Sequence, residues 1–147
     1  MPSGRFALLE GDFAEARRLM EEAAADYKRV GHEANYVATL ESLAEVARRE
    51  GDVKRATALL AEPLPRAVAL GDRTFVGDVL AELAVVVSER GQSDVAGTLW
   101  GAANALLEGS RPWRFRSEPD APAEVKAAGA AMTLDEAVAD ALRSIDA

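Results

Sequence analysis

The chain holds few residues suited to covalent chemistry. Its one histidine, His32, has no second ligand or nucleophile near it in sequence and falls at the boundary between two helical patterns. Such a residue reads as a turn or capping residue, because a general base or a metal ligand needs partners. Carboxylate pairs are more plentiful. Glu41 with Glu45, and Glu21 with Glu22, have a spacing that could hold a cation, yet on a helix such pairs are usually solvated surface. Cysteine is absent, which excludes disulfides and thiolate metal sites. The Gly-Asp pairs read as turns between helices and not as a phosphate-cradling loop. The expectation is a non-catalytic protein with no cofactor and no metal ion.

One stretch reverses the acidic character of the chain: Arg111-Pro112-Trp113-Arg114-Phe115-Arg116. Arginines interleaved with aromatics can bind nucleic acid by phosphate contact and base stacking. A formal net charge of −8 works against that, since a polyanion needs an extended basic surface. The proline-marked geometry favours a strap along the acidic helices, with Trp113 and Phe115 buried and the arginines paired to carboxylates. A partner-binding segment is the other alternative. No direct nucleic-acid contact is expected.

These residues must be carried by helices. Of 147 residues, 49% are hydrophobic and only 5% aromatic, and much of the apolar share is alanine, the best helix former. No run approaches the ~20 apolar residues that span a membrane. Met1-Pro2-Ser3-Gly4 has no basic region leading into an apolar one. The expected protein is soluble and cytoplasmic, with no membrane partner.

Punctuation divides the chain. Gly11-Asp12, Gly51-Asp52 and Gly91-Gln92 recur at a forty-residue interval, and so do Gly31-His32 and Gly71-Asp72. Internal periodicity of this kind means stacked supersecondary units. Apolar residues at three-four spacing mark helices over 12–30 (Phe13, Ala16, Met20) and 33–50 (Tyr36, Val37, Leu40, Leu43). The helix over 73–90 is apolar on more than one side and should be the most buried. Asp12 and Ser93 are expected caps, and Thr133-Leu134-Asp135-Glu136 is a capping box. Pro63 and Pro65 predict a break near Ala61 to Pro63 and a restart through Arg66 to Leu70. Only a short helical piece at Arg5 to Leu9 precedes the helix over 12–30, so its apolar face should be covered by upstream sequence or, the favoured expectation, by a second copy of the chain.

Each helix pair resembles a tetratricopeptide repeat (TPR), lengthened from its usual ~34 residues. The packing positions fall on Leu40, Leu43, Ala44, Ala47, Ala56 and Leu60, then on Leu80, Leu83, Ala84, Val87, Ala96 and Trp100. The first unit keeps only its second half, with Ala16 and Met20. Trp100 takes a large packing slot. A narrower resemblance lies in Thr98-Leu99-Trp100-Gly101-Ala102-Ala103-Asn104-Ala105-Leu106-Leu107 and Met132-Thr133-Leu134-Asp135-Glu136-Ala137-Val138. Together they look like the end of the LuxR-type and antibiotic-regulatory ATPase transcriptional regulators, whose C-terminal half is a long TPR-like array. Neither a P-loop nor a DNA-reading helix comes with the likeness.

The resemblance implies an all-α, TPR-like right-handed array of antiparallel helix pairs, about two and a half repeats long. It would cover residues 1–109, with a crossover over 110–120 and C-terminal capping helices over 121–147. In such arrays the first helix of each pair lines a concave groove. By that likeness the groove carries Ala38, Glu41, Glu45, Arg48 and Arg49, then Asp78, Ala81, Val85, Ser88 and Glu89. Mixed charges and small residues suit a peptide segment or a polar small molecule. The implied role is a protein-interaction or ligand-sensing module of, or related to, a bacterial transcriptional regulator, homodimeric in isolation. The alternative is a small-molecule-binding or catalytic helical protein that uses the groove as a pocket.

Overall fold

Glycine fixes where each helix ends. At Gly51 the backbone takes φ +84°, a conformation that a Cβ would strain. There the chain closes a Schellman turn: Gly51 N–H donates to Arg48 O at 3.0 Å and Asp52 N–H to Ala47 O at 2.9 Å. Asp52 caps the next helix, its carboxylate accepting from Arg55 N–H at 3.0 Å. Gly11, Gly31, Gly71 and Gly91 take the same left-handed conformation. The forty-residue period is therefore two twenty-residue units, each a turn and a helical stretch.

The computed structural model describes residues 11–108 and 118–146, which contain helices and no strand. The helices are α1 (Phe13–Val30), α2 (Glu33–Arg49), α3 (Val53–Ala61), α4 (Pro63–Leu70), α5 (Arg73–Glu89), α6 (Ser93–Leu106), α7 (Ala123–Ala130) and α8 (Leu134–Asp146). The expected all-α class is observed. Two sequence-based expectations, the short helical piece at Arg5 to Leu9 and the strap at Arg111 to Arg116, lie outside the described residues.

From α1 to α7 consecutive helices pack on one another, and α2 also lies against α5. Burial follows from this. Helix α5 is enclosed from Val76 to Val87 without interruption, as its two-sided apolar pattern predicts. The larger core joins Val37, Leu60, Leu64, Leu80, Leu83, Val86 and Leu99. A smaller core joins Ala16, Met20 and Ala24 of α1 to Tyr36, Leu40, Leu43 and Val46 of α2. Trp100 is half-buried and packs against the larger core.

Two local expectations need correction. Ser93 is not a cap: Gln92 holds that position, without a side-chain bond, and Ser93 is the first helical residue. The break at the prolines is also shorter than expected. Glu62 keeps helical angles (φ −77°, ψ −47°), and Pro63 itself opens α4. A proline at the first helical position gives up an N–H that has no partner there in any case, so α4 restarts three residues early.

At the C-terminal end α7 packs on α6, and α8 runs back to touch α3, α5 and α6. The capping box forms as expected. Thr133 N–H donates to Glu136 Oε1 at 2.9 Å, and Glu136 N–H to Thr133 Oγ1 at 3.2 Å. These bonds hold the Glu136 carboxyl below its usual range.

Candidate functional site

A single charge interrupts the apolar run of α5 from Val79 to Val87. Glu82 lies between Ala81 and Leu83 and is fully buried. A buried carboxylate needs a partner, and α2 supplies it from its last turn: Arg48 Nε donates to Glu82 Oε1 at 2.8 Å. Arg48 Nη1 also lies 3.8 Å from Glu89 Oε1, and Arg49 Nη2 lies 3.6 Å from Glu45 Oε2. Burial pushes the Glu82 carboxyl above its usual range. Arg48 pulls it back only in part, and the nearby Glu45 and Glu89 add to the push. For Arg48 the balance is reversed: burial works against the cation, but Glu82, Glu89 and Glu45 outweigh it and hold its pKa up. Arg48 Nη2 is buried and makes no hydrogen bond among the described residues.

The groove residues expected from the TPR likeness sort by depth. Glu45, Asp78, Ala81 and Val85 are buried; Ala38, Glu41, Arg48, Arg49 and Ser88 are half-buried; Glu89 is exposed. Ion pairs join Arg48 to Glu82 and Glu89, and Arg49 to Glu45, at one end of the α2–α5 seam. Glu41 and Asp78 lie about one turn before Glu45 and Glu82 on the same two helices, and Val85 and Ser88 lie between Glu82 and Glu89. Such an arrangement can bind a cationic or hydrogen-bonding group through its outer members. Glu82 is sealed from solvent and cannot serve as a general base toward a substrate.

Glu82 itself was missing from the sequence-based groove. Its signal was available: it is the one charge between Val79 and Val87. A second cluster was also missed, where α2 meets the junction of α3 and α4. Tyr36 Oη donates to Glu62 Oε1 at 2.9 Å, and the Arg66 guanidinium sits 5.0 Å from the centre of the Tyr36 ring. Arg66 in turn bonds Glu33 at 2.7 Å and Glu62 at 3.2 Å. Burial and the Glu62 carboxylate push the Tyr36 hydroxyl up. This cluster ties α2 to the start of α4 across about thirty residues, which no local pattern reveals.

His32 is exposed at the α1–α2 turn with its ring edge toward Tyr27, the centroids 6.3 Å apart. Glu21 and Glu22 reach Arg55 and Arg18. Among the described residues no group of three or more metal-ligating side chains comes together, and no helix is long and apolar enough to cross a membrane. Compared with family models, with curated proteins and with solved structures, the chain has no match.

Proposed function

We propose that the chain is a non-catalytic, TPR-like interaction module that takes a basic, extended peptide segment along the α2–α5 seam. The observation carrying this reading is that two first helices lie side by side and bring charged side chains of both into one seam. On this reading five are carboxylates (Glu41, Glu45, Asp78, Glu82, Glu89), of which Glu41 and Glu89 reach solvent, and two are guanidinium groups (Arg48, Arg49). A basic segment meets complementary charge there, which favours encounter and register. The likeness of the 98–107 and 132–138 segments to regulator ends supports a place in or beside a bacterial transcriptional regulator of the LuxR-type or antibiotic-regulatory ATPase kind, in the cytoplasm.

The test is fluorescence anisotropy with two labelled peptides of equal length, one Arg/Lys-rich and one Glu-rich. The basic peptide should bind, and Glu89→Lys, at an exposed position, should weaken it about tenfold. Equal binding of both peptides, or a Glu89→Lys variant that binds as the parent does, defeats the reading.

The reading includes a homodimer. Helix α1 packs chiefly on α2, and its Phe13, Leu19 and Tyr27 remain partly exposed beside Val30, which is 55% exposed. A second copy on this face would bury them. Sedimentation at ~100 μM, where weak pairing still registers, should show dimer; a strict monomer removes this part.

A further inference from the structure

Helices α3 and α8 enclose, with the end of α5, an open cavity of about 650 Å³. That volume falls in the range of small-ligand sites. Most of its wall is carbon, from Val53, Ala58 and Ala61 of α3 and Ile145 of α8. Thr57 also lines it, but its hydroxyl is taken up by the helix backbone, donating to Val53 O at 2.9 Å. Among the described residues, the charges on the wall are both positive, Lys54 and Arg90. Arg90 Nη1 donates to Ser144 O at 3.3 Å, which ties its guanidinium to α8. Lys54 has no ion pair among the described residues.

We infer that this cavity binds a medium-chain aliphatic carboxylate, its hydrocarbon against Val53, Ala58, Ala61 and Ile145 and its carboxylate paired with Lys54. Arg90 adds positive potential. The lining decides among ligand classes. A neutral hydrocarbon leaves Lys54 without a counter-ion, and a cationic amphiphile is repelled by it. A sugar or polyphosphate finds too few hydrogen-bond donors over an apolar floor. An anion with an apolar tail satisfies both parts of the wall at once. The site is distinct from the α2–α5 seam, so the peptide reading stands or falls separately.

Isothermal titration of the full chain with hexanoate, octanoate and decanoate tests this, with decylamine and decanol as controls of equal tail length. Binding should be saturable at one site below about 1 mM decanoate. Affinity should rise about fourfold per added methylene until the cavity fills. Lys54→Glu should weaken decanoate about tenfold or more. Ala58→Trp, which fills the cavity from an exposed helix position, should abolish binding. Circular dichroism confirms that both variants remain helical. The inference is overturned by the absence of saturation, by decylamine or decanol binding as well as decanoate, or by folded variants that bind unchanged.

Discussion

Two helix contacts in this molecule are built on opposite principles. Where α6 meets α7, side chains are left out. A Cβ on Gly101 would lie 1.9 Å from Lys126 O, and one on Gly129 would lie 2.0 Å from Thr98 O, so the two backbones touch. Where α2 meets α5, charge is put in: Arg48 and Glu82 bond at 2.8 Å amid valine and alanine. The first contact is steric; it does not titrate, and no other residue type fits it. The second is costly to desolvate, responds to pH, and can be replaced by apolar residues of like volume. Packing alone accounts for the glycines. It does not account for the ion pair, which is why the seam, and not the glycine crossing, carries the functional proposal.

Breaking the charged contact on one side should give the largest effect. Arg48→Ala leaves Glu82 buried without its counter-ion and should cost about 3–5 kcal/mol at neutral pH, read from the urea midpoint. The loss should shrink as pH falls. The folded-state pKa of Glu82 already lies above its unfolded value, and removing Arg48 raises it further. Between those two values the folded state holds the extra proton, so stability falls as pH rises. The deficit of the variant against the parent should therefore be smaller at pH 5 than at pH 8. A deficit that is the same at both shows that Glu82 stays ionised without Arg48.

Disturbing the steric contact should cost somewhat less. Alanine at Gly101 gains up to ~1 kcal/mol of helix propensity. The new methyl would overlap backbone, which cannot rotate away as a side chain does, so α7 must shift. We expect a net loss of about 2–3 kcal/mol, unchanged between pH 5 and 8. That pH independence is what separates the two contacts. A neutral or stabilised Gly101→Ala would mean that α7 is loosely held and that the crossing is not a packing constraint.

Sequence patterns revealed the features written locally and missed those that depend on distant neighbours. Turn glycines, the Asp12 cap, the capping box at Thr133 and the enclosure of α5 all follow from residues within one helical turn or from period. The run Trp100-Gly101-Ala102-Ala103 was legible as part of a helix, while the need for its glycine appears only with α7, some twenty-five residues on, in place. Glu82 was passed over for the same reason, since its partner Arg48 belongs to another helix. Trp100 was legible as a packing residue but not its depth: it is half-buried, not enclosed. Trp100→Ala should therefore cost about 2 kcal/mol, below the 3–5 typical of a fully buried tryptophan. A loss under ~0.5 kcal/mol would turn it from a packing residue into a surface contact.

The smallest effect is expected from the most drastic-looking change. Replacing both members of the pair, Arg48→Met with Glu82→Leu, removes two desolvated charges and leaves apolar side chains of similar reach. The cost of ionising Glu82 in the fold disappears along with the attraction that offset it. Stability should then return to within ~1 kcal/mol of the parent or exceed it, although Arg48→Ala alone is the most damaging substitution of the set. The two results together give the coupling between the sites. Stability between pH 5 and 8 should also vary less than in the parent, because the group with the raised pKa is gone. If the double variant is stable but binds the basic peptide more weakly, the pair serves the seam's charge and not the fold. If it is instead destabilised by ~3 kcal/mol or more, the ion pair stabilises the α2–α5 contact in its own right, and the contrast with the glycine crossing collapses.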